Sequence, residues 1–457
     1  MEFRAYLSQL ADCDLSVYSR LEPAEVSVTR KRFWLDCDHN AQVRRPDFRY
    51  RRLRPLEVEQ NLERLEQLRP DRLELAGVER ELGAWIWEDV WTKNQALQAL
   101  IRYQGAATQA KERRWWGDNF RFWDYQLYGA PDEPLFRSAL QEQLDWVQGR
   151  IANDFQNRMW VELSQELASG VATRVSERYQ PRPETVRRFG ELVRAHLAPF
   201  FQLVPEDQSE FTAMEVVNLL NQILRMSCQT RFEADLATQR SSILVDQAER
   251  RILIPAQREP RTYTREEVLT LVLGHEFGTH VMRSLPYEWG HLPLLSTGLP
   301  GSERFEEGLA VCVEQALTGQ YRTRALWRAL SHYVNIGLAT FLDYDFRKVL
   351  ETRWRLNFLA ESRADEPQAE QRLRYEAAYA RAFDEARRCF RGFGELISGK
   401  DLLYLTGNTQ AWIYIERHLN QSEWLWRNLF ERGKTDPENP KHMRMLQLDR
   451  ELGRATS

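Results

Sequence analysis

The sequence predicts an α+β protein that is mostly helical, with a small antiparallel sheet and a helical N-terminal region. Three observations carry this. Apolar residues recur at helical spacings through most of the chain, the mark of helices with one buried face. Between Arg231 and Pro255 the period shortens to the alternation of strands. Directly after those strands, an apolar helix carries two histidines and a glutamate, groups that are expensive to bury without a partner.

Taken in order, residues 1 to about 50 are mixed, with Phe33, Trp34, Phe48 and Tyr50 among arginines, and read as a packed arm. From Pro55, the residues Leu56, Val58, Leu62, Leu65 and Leu68 set up a helix, and Trp85, Trp87, Trp91, Leu97, Leu100 and Ile101 continue the pattern. Trp115, Trp116, Phe120, Phe122, Trp123 and Tyr125 form an aromatic cluster interleaved with Arg113, Arg114 and Arg121. A stacking platform for single-stranded nucleic acid has that composition. Arginine stems lying over the rings of a helical core are the commoner cause.

After a turn at Tyr128–Pro134, residues 135–170 read as one amphipathic helix. The run Gln180-Pro181-Arg182-Pro183-Glu184 is the clearest breakpoint, dividing a helical region 1–180 from a catalytic part 181–457. Helices follow from Glu184 to about Pro199 and from about Ala213 to Met226. Residues 231–236 alternate, and 242–246 with 251–255 read as a β-hairpin closed by Pro255. A loop at 284–301, containing His291, leads to a helix opening at Ser302. The stretch 321–431 is helical, with breaks at 392–394 and 398–400.

Composition narrows the function. A chain of 457 residues can bury a large core, and a formal net charge of -4 argues against a nucleic-acid partner. The five cysteines (Cys13, Cys37, Cys228, Cys312, Cys389) are scattered, without a Cys-x-x-Cys pair, as expected of reduced thiols in a cytoplasm. No apolar run approaches the ~20 residues that span a bilayer, and Met1-Glu2-Phe3-Arg4 opens no secretory signal. The expectation is a soluble cytoplasmic protein with no membrane partner.

The informative stretch is Leu269–Arg283, entered through the capping box Thr264-Arg265-Glu266-Glu267. Zinc-binding helices usually space their histidines four apart, on one face. Here His275 and His280 are five apart, which leaves them roughly 140° apart on a regular helix. A π-type bulge would turn them together. Gly274 and Gly278 weaken the regular helix, and the Thr279 hydroxyl can bond a carbonyl that a bulge releases. A catalytic zinc takes three protein ligands and keeps one position open. The third is sought among Glu303, Glu306, Glu307 and Glu314. Glu307 is the best placed, because Gly308 and Ala310 are small enough for a close approach. Glu303 and Glu314 share its stripe and would orient a ligand imidazole.

The run His275-Glu276-Phe277-Gly278-Thr279-His280, then Leu295-Ser296-Thr297-Gly298-Leu299-Pro300-Gly301, Glu306-Glu307-Gly308-Leu309-Ala310 and Lys400-Asp401-Leu402-Leu403-Tyr404-Leu405, resembles the tyrosine-carboxypeptidase family of zincins. That family includes animal microtubule-associated tyrosine carboxypeptidases and bacterial relatives named for a Gln-Glu-Gly-Leu-Ala motif. The resemblance spans residues 45–430 and is strongest at 231–310; Glu306 stands where relatives usually carry Gln. It implies a zincin-like core, Zn2+ held by His275, His280 and Glu307, and Glu276 as general base. The animal members act on tubulin, a partner that this arginine-rich, lysine-poor composition does not support.

The expected activity is therefore that of a metallocarboxypeptidase releasing a C-terminal residue, an aromatic one on the family's pattern, from a peptide or protein. Tyr404, with Tyr414 behind it, is the candidate oxyanion donor. Arg283 and Lys400 are the candidate cations for the substrate carboxylate, and strand 250–255 or 241–246 would pair with the substrate backbone. The competing readings are an endopeptidase or aminopeptidase maturing a small peptide, and a non-catalytic metal-binding regulator.

Overall fold

A computed structural model describes residues 3–14, 23–24, 26–39, 42–50, 55–106, 108–168, 178–227, 231–238, 242–247, 249–256, 262–288, 292–361, 367–391 and 394–456. His291 lies outside these residues. The expected N-terminal arm is helical: α1 (Phe3–Cys13) and α2 (Val26–His39) flank β1 (Pro23–Ala24), which pairs antiparallel with β2 (Arg49–Tyr50). The signal for α1 was present, since Phe3, Tyr6, Leu7, Leu10 and Cys13 fall at helical spacing and all are buried. Four helices follow, α3 (Pro55–Gln67), α4 (Gly77–Gly105), α5 (Ala110–Tyr128) and α6 (Glu133–Gln148), and then α7 (Asp154–Leu167). The single helix expected over 135–170 is thus two. The chain stops after Gly149 and restarts where the Asn153 side chain accepts from the Gln156 amide. In the aromatic cluster on α5, Phe120 is buried while Trp115 and Phe122 are exposed.

Next come α8 (Pro183–Phe201), β3 (Glu210–Thr212), α9 (Ala213–Met226), β4 (Glu233–Ala237), β5 (Leu244–Asp246), β6 (Arg251–Pro255) and β7 (Thr262–Thr264). A reciprocal capping box between Thr212 and Glu215 starts α9. β3 pairs antiparallel with β7, and β5 with β6 makes the expected hairpin. The three-stranded sheet is mixed, however, not antiparallel. Its order is β4-β6-β5, and β4 runs parallel to β6. The chain leaves β4, forms β5 on the far edge and returns through the middle. Ile252 and Ile254 of that middle strand are fully buried. Because β6 is paired on both sides, residues 250–255 cannot receive a substrate strand; only the edge strand β5 keeps that possibility.

β7 leads into α10 (Arg265–Glu267), which continues as a π-helix over Val268–Val281. The remaining helices are α11 (Leu294–Thr297), α12 (Ser302–Thr318), α13 (Arg324–Phe341), α14 (Phe346–Ala360), α15 (Gln368–Cys389), α16 (Leu402–His418), α17 (Ser422–Phe430) and α18 (Pro440–Thr456). The fold is α+β and mostly helical. The N-terminal helices pack on the rest through shared cores. Phe136, Leu140 and Val147 of α6 lie in one cluster with Leu330, Val334, Leu350 and Phe383. Tyr6 and Leu82 share another with Leu295 and Met445. None of the described helices is long and apolar enough to cross a membrane.

Candidate metal centre

The helix that carries the two histidines is π-helical over 14 residues, a longer distortion than the single bulge expected. In a π-helix the bonds run from residue i to i+5, so positions five apart come to lie on one face. The Met282 amide bonds the Phe277 carbonyl at 2.9 Å in this register. The Thr279 hydroxyl donates to the Gly274 carbonyl at 3.1 Å, as the sequence anticipates. The two glycines have a second role. A Cβ on Gly274 would press into Leu317 and Val313 of α12, and one on Gly278 into Leu197 of α8. Buried Val268, Val272, Leu273, Phe277 and Val281 hold the distorted helix in the core.

His275 and His280 consequently stand side by side, ring centroids 5.1 Å apart. Their Nε2 atoms lie 3.9 and 3.8 Å from the same oxygen, Oε2 of Glu307. The three donor atoms fall within 4.8 Å of one another. Zinc bonds of about 2.0–2.2 Å place tetrahedral ligand atoms about 3.4 Å apart, within a small side-chain rotation of this arrangement. Two imidazoles and a carboxylate are a donor set that could hold a metal ion.

Carboxylates fix both rings from behind. His275 Nδ1 is 2.7 Å from Glu314 Oε1, and His280 Nδ1 is 2.7 Å from Glu306 Oε1. Each Nδ1–H donates to a carboxylate, which turns Nε2 toward the centre, an arrangement typical of metal-bound histidine. Burial alone, the largest influence, would depress the His275 pKa. The Glu314 hydrogen bond and the charges of Glu276, Glu314 and Glu307 outweigh it and raise the pKa to about 9.

Glu314 has the orienting role expected of it, but Glu303 does not. Glu303 sits at the mouth, half-exposed, with Lys400 Nζ 3.6 Å away. The second orienting carboxylate is Glu306, the position where the family resemblance shows a departure. Its buried charge is met by Lys434 Nζ at 2.5 Å and Arg283 Nη1 at 3.4 Å. Burial pushes its pKa up, but Lys434, His280 and Arg283 together hold it well below the ordinary carboxylate range. Arg328 Nη2 plays the same part for Glu314, at 2.7 and 3.0 Å from its two oxygens.

Glu276 is 8 % exposed and forms no hydrogen bond or ion pair with any described residue. Its carboxylate lies near His275 and Arg328, whose pKa values it raises. Tyr404 is brought in by a close helix crossing: a Cβ on Gly308 would overlap the backbone of Gly407, and one on Gly407 the carbonyl of Arg304. The space at Gly308 is therefore filled by α16, not by the metal. The Tyr404 hydroxyl accepts from Arg388 at 3.3 Å. Burial and then the Glu307 charge push its pKa upward, so the phenol keeps its proton next to the centre.

Lys400 Nζ lies 3.6 Å from the half-exposed carboxylate of Glu303. Two expectations require correction. Arg283 is fully buried, donating to Glu306 and, at 2.5 Å, to the Thr435 carbonyl, so it cannot meet a substrate carboxylate. Tyr414 lies ten residues beyond Tyr404 on α16, about 15 Å along a helix, and packs edge-on against Phe305 in the core. The reading missed Lys434, whose 128-residue separation from Glu306 leaves no local signal. It also missed Arg328 and His332, one turn apart on a helix face. Comparison of the chain with protein-family models, curated proteins and solved structures returns no match.

Proposed function

We propose that this chain is a zinc-dependent metallopeptidase with a zincin-like centre, acting as a carboxypeptidase on a peptide or protein C-terminus. One observation carries the reading. Two histidines share a carboxylate oxygen at their Nε2 atoms while their Nδ1 atoms are held by separate carboxylates, and an unpaired, buried carboxylate, Glu276, stands next to them. His275, His280 and Glu307 would hold the metal. When bound, zinc supplies Lewis acidity toward a carbonyl and a lowered pKa for water.

The protein's own groups supply the rest. Glu276, which pairs with no described residue, accepts the proton of the attacking water and returns it to the departing amine nitrogen. Tyr404 keeps its O–H available to donate to the carbonyl oxygen as negative charge develops there. Glu314 and Glu306 keep the imidazoles in one tautomer and orientation. The test is Glu276→Gln. Zinc content should stay at that of the wild type, while peptide hydrolysis falls by about 10²–10⁴-fold. Undiminished hydrolysis in that variant would refute the assignment.

A further inference from the structure

A carboxypeptidase needs a cation for the terminal carboxylate of its substrate, and of the two candidates legible in the sequence Arg283 is fully buried and Lys400 is paired with Glu303. The same holds for most cations near the centre. Arg388 commits Nε and Nη2 to Asp401 at 2.8 and 3.0 Å, and Nη2 also reaches Tyr404. Arg391 donates to Asp401 and to the Arg388 carbonyl. Lys434 is buried against Glu306.

Arg328 is different. Only its Nη2 is used, by the two oxygens of Glu314; Nε and Nη1 bond no described residue, and the side chain is 42 % exposed. One turn along α13, His332 presents an imidazole with no hydrogen bond at either nitrogen among the described residues. Its Nδ1 is buried, 3.8 Å from Asp401 Oδ2. The ring lies 5.4 Å from that of Tyr404. Burial and then Arg388 keep it neutral, its pKa lowered to about 3, so it retains one N–H donor. With Nδ1 turned to Asp401, Nε2 is the ring nitrogen left for a ligand.

We propose that Arg328, flanked by Tyr404 and His332, anchors the terminal carboxylate of a peptide substrate at the metal centre. The proposal rests on the metallopeptidase reading and makes it an exopeptidase one. A single carboxylate, that of Glu314, separates the guanidinium from His275. An extended residue spans about 3.5 Å, so the anchor of an exopeptidase has to border the metal centre, and Arg328 does: the charges of Glu314 and Glu276 act on it. Arg328 supplies a charge-assisted pair with two unused donors, and His332 a neutral donor for the second oxygen.

The experiment uses the zinc-loaded full chain and two peptides of one sequence, one with a free C-terminal carboxylate and one amidated, read by mass spectrometry. Wild type should release the last residue of the free acid and act at least about 100-fold more slowly on the amide. Arg328→Gln should raise KM for the free acid about tenfold or more, while any loss of kcat or zinc that follows from freeing Glu314 should fall equally on both peptides. Arg328→Lys should recover part of that loss, and His332→Gln should raise KM by a smaller factor. Equal cleavage of both peptides by wild type, an unchanged KM in Arg328→Gln, or a loss that excess zinc reverses would each overturn the anchor. If wild type cleaves neither peptide, the peptidase reading fails separately. Calorimetric binding of the two peptides to zinc-loaded Glu276→Gln then decides: preference for the free acid, abolished by adding Arg328→Gln, supports the anchor, and equal binding refutes it.

Discussion

Glu306 stands where members of the resembled family usually carry Gln, and the sequence alone does not say what its charge does. In the fold it is the carboxylate that orients His280, neutralised by two buried cations. Glu306→Gln should therefore destabilise the protein by about 3–5 kcal/mol, because Lys434 and Arg283 would remain buried without their counter-charge. Adding Lys434→Met should recover much of this, a coupling that urea denaturation of the single and double variants will measure. His332 makes a pH-dependent prediction at the same scale. Burial, with Arg388 nearby, lowers its pKa to about 3 in the folded chain, against about 6.5 unfolded. Between those values the unfolded chain binds the extra proton. Stability is thus fully present above about 6.5 and falls as pH drops toward 3, by at most about 1.4 kcal/mol per pH unit. Metal-free protein, denatured at several pH values in this window, should lose part of that slope in His332→Gln.

The π-helix was the most legible element. Its capping box, apolar run, paired glycines and five-residue histidine spacing are all local, and local pattern decides hydrogen-bond register when the helix is buried on every side. Its full length was not legible, because the core that closes around Val268, Val272, Leu273, Phe277 and Val281 sustains the distortion. The crossing of α12 and α16 shows the opposite. Neither Gly308 nor Gly407 announces its partner, yet the two backbones touch there and set Tyr404 beside Glu307. Gly407→Ala should force the helices apart, costing about 1–3 kcal/mol and lowering kcat more than zinc affinity. A variant with wild-type stability and activity would show that the crossing does not position Tyr404. The sheet belongs between these cases: alternation marked the strands, but only the return of the chain through β6 made β4 parallel to it.

At the scale of the molecule, the Pro-rich breakpoint near 181 is a boundary of helices and not of cores. α6 shares its apolar cluster with α13–α15, and α1 and α4 share theirs with α11 and α18. Residues 181–457 produced alone should accordingly expose those clusters and fail to fold, with an aggregated product or no cooperative melting transition. A soluble, cooperatively melting fragment would show two independent domains.

The sequence by itself determined the helical character, the hairpin and the five-residue spacing that sets His275 beside His280. Those follow from periodicity and spacing over a few turns, where the chain's own geometry dictates which side chains are neighbours. Only the tertiary structure decided what surrounds them: Lys434 on Glu306, Arg328 open beside Glu314, and Arg283 removed from the site by burial. These contacts join segments far apart in the chain. Burial and charge compensation choose such partners only after the cores have closed, and no local pattern records that choice.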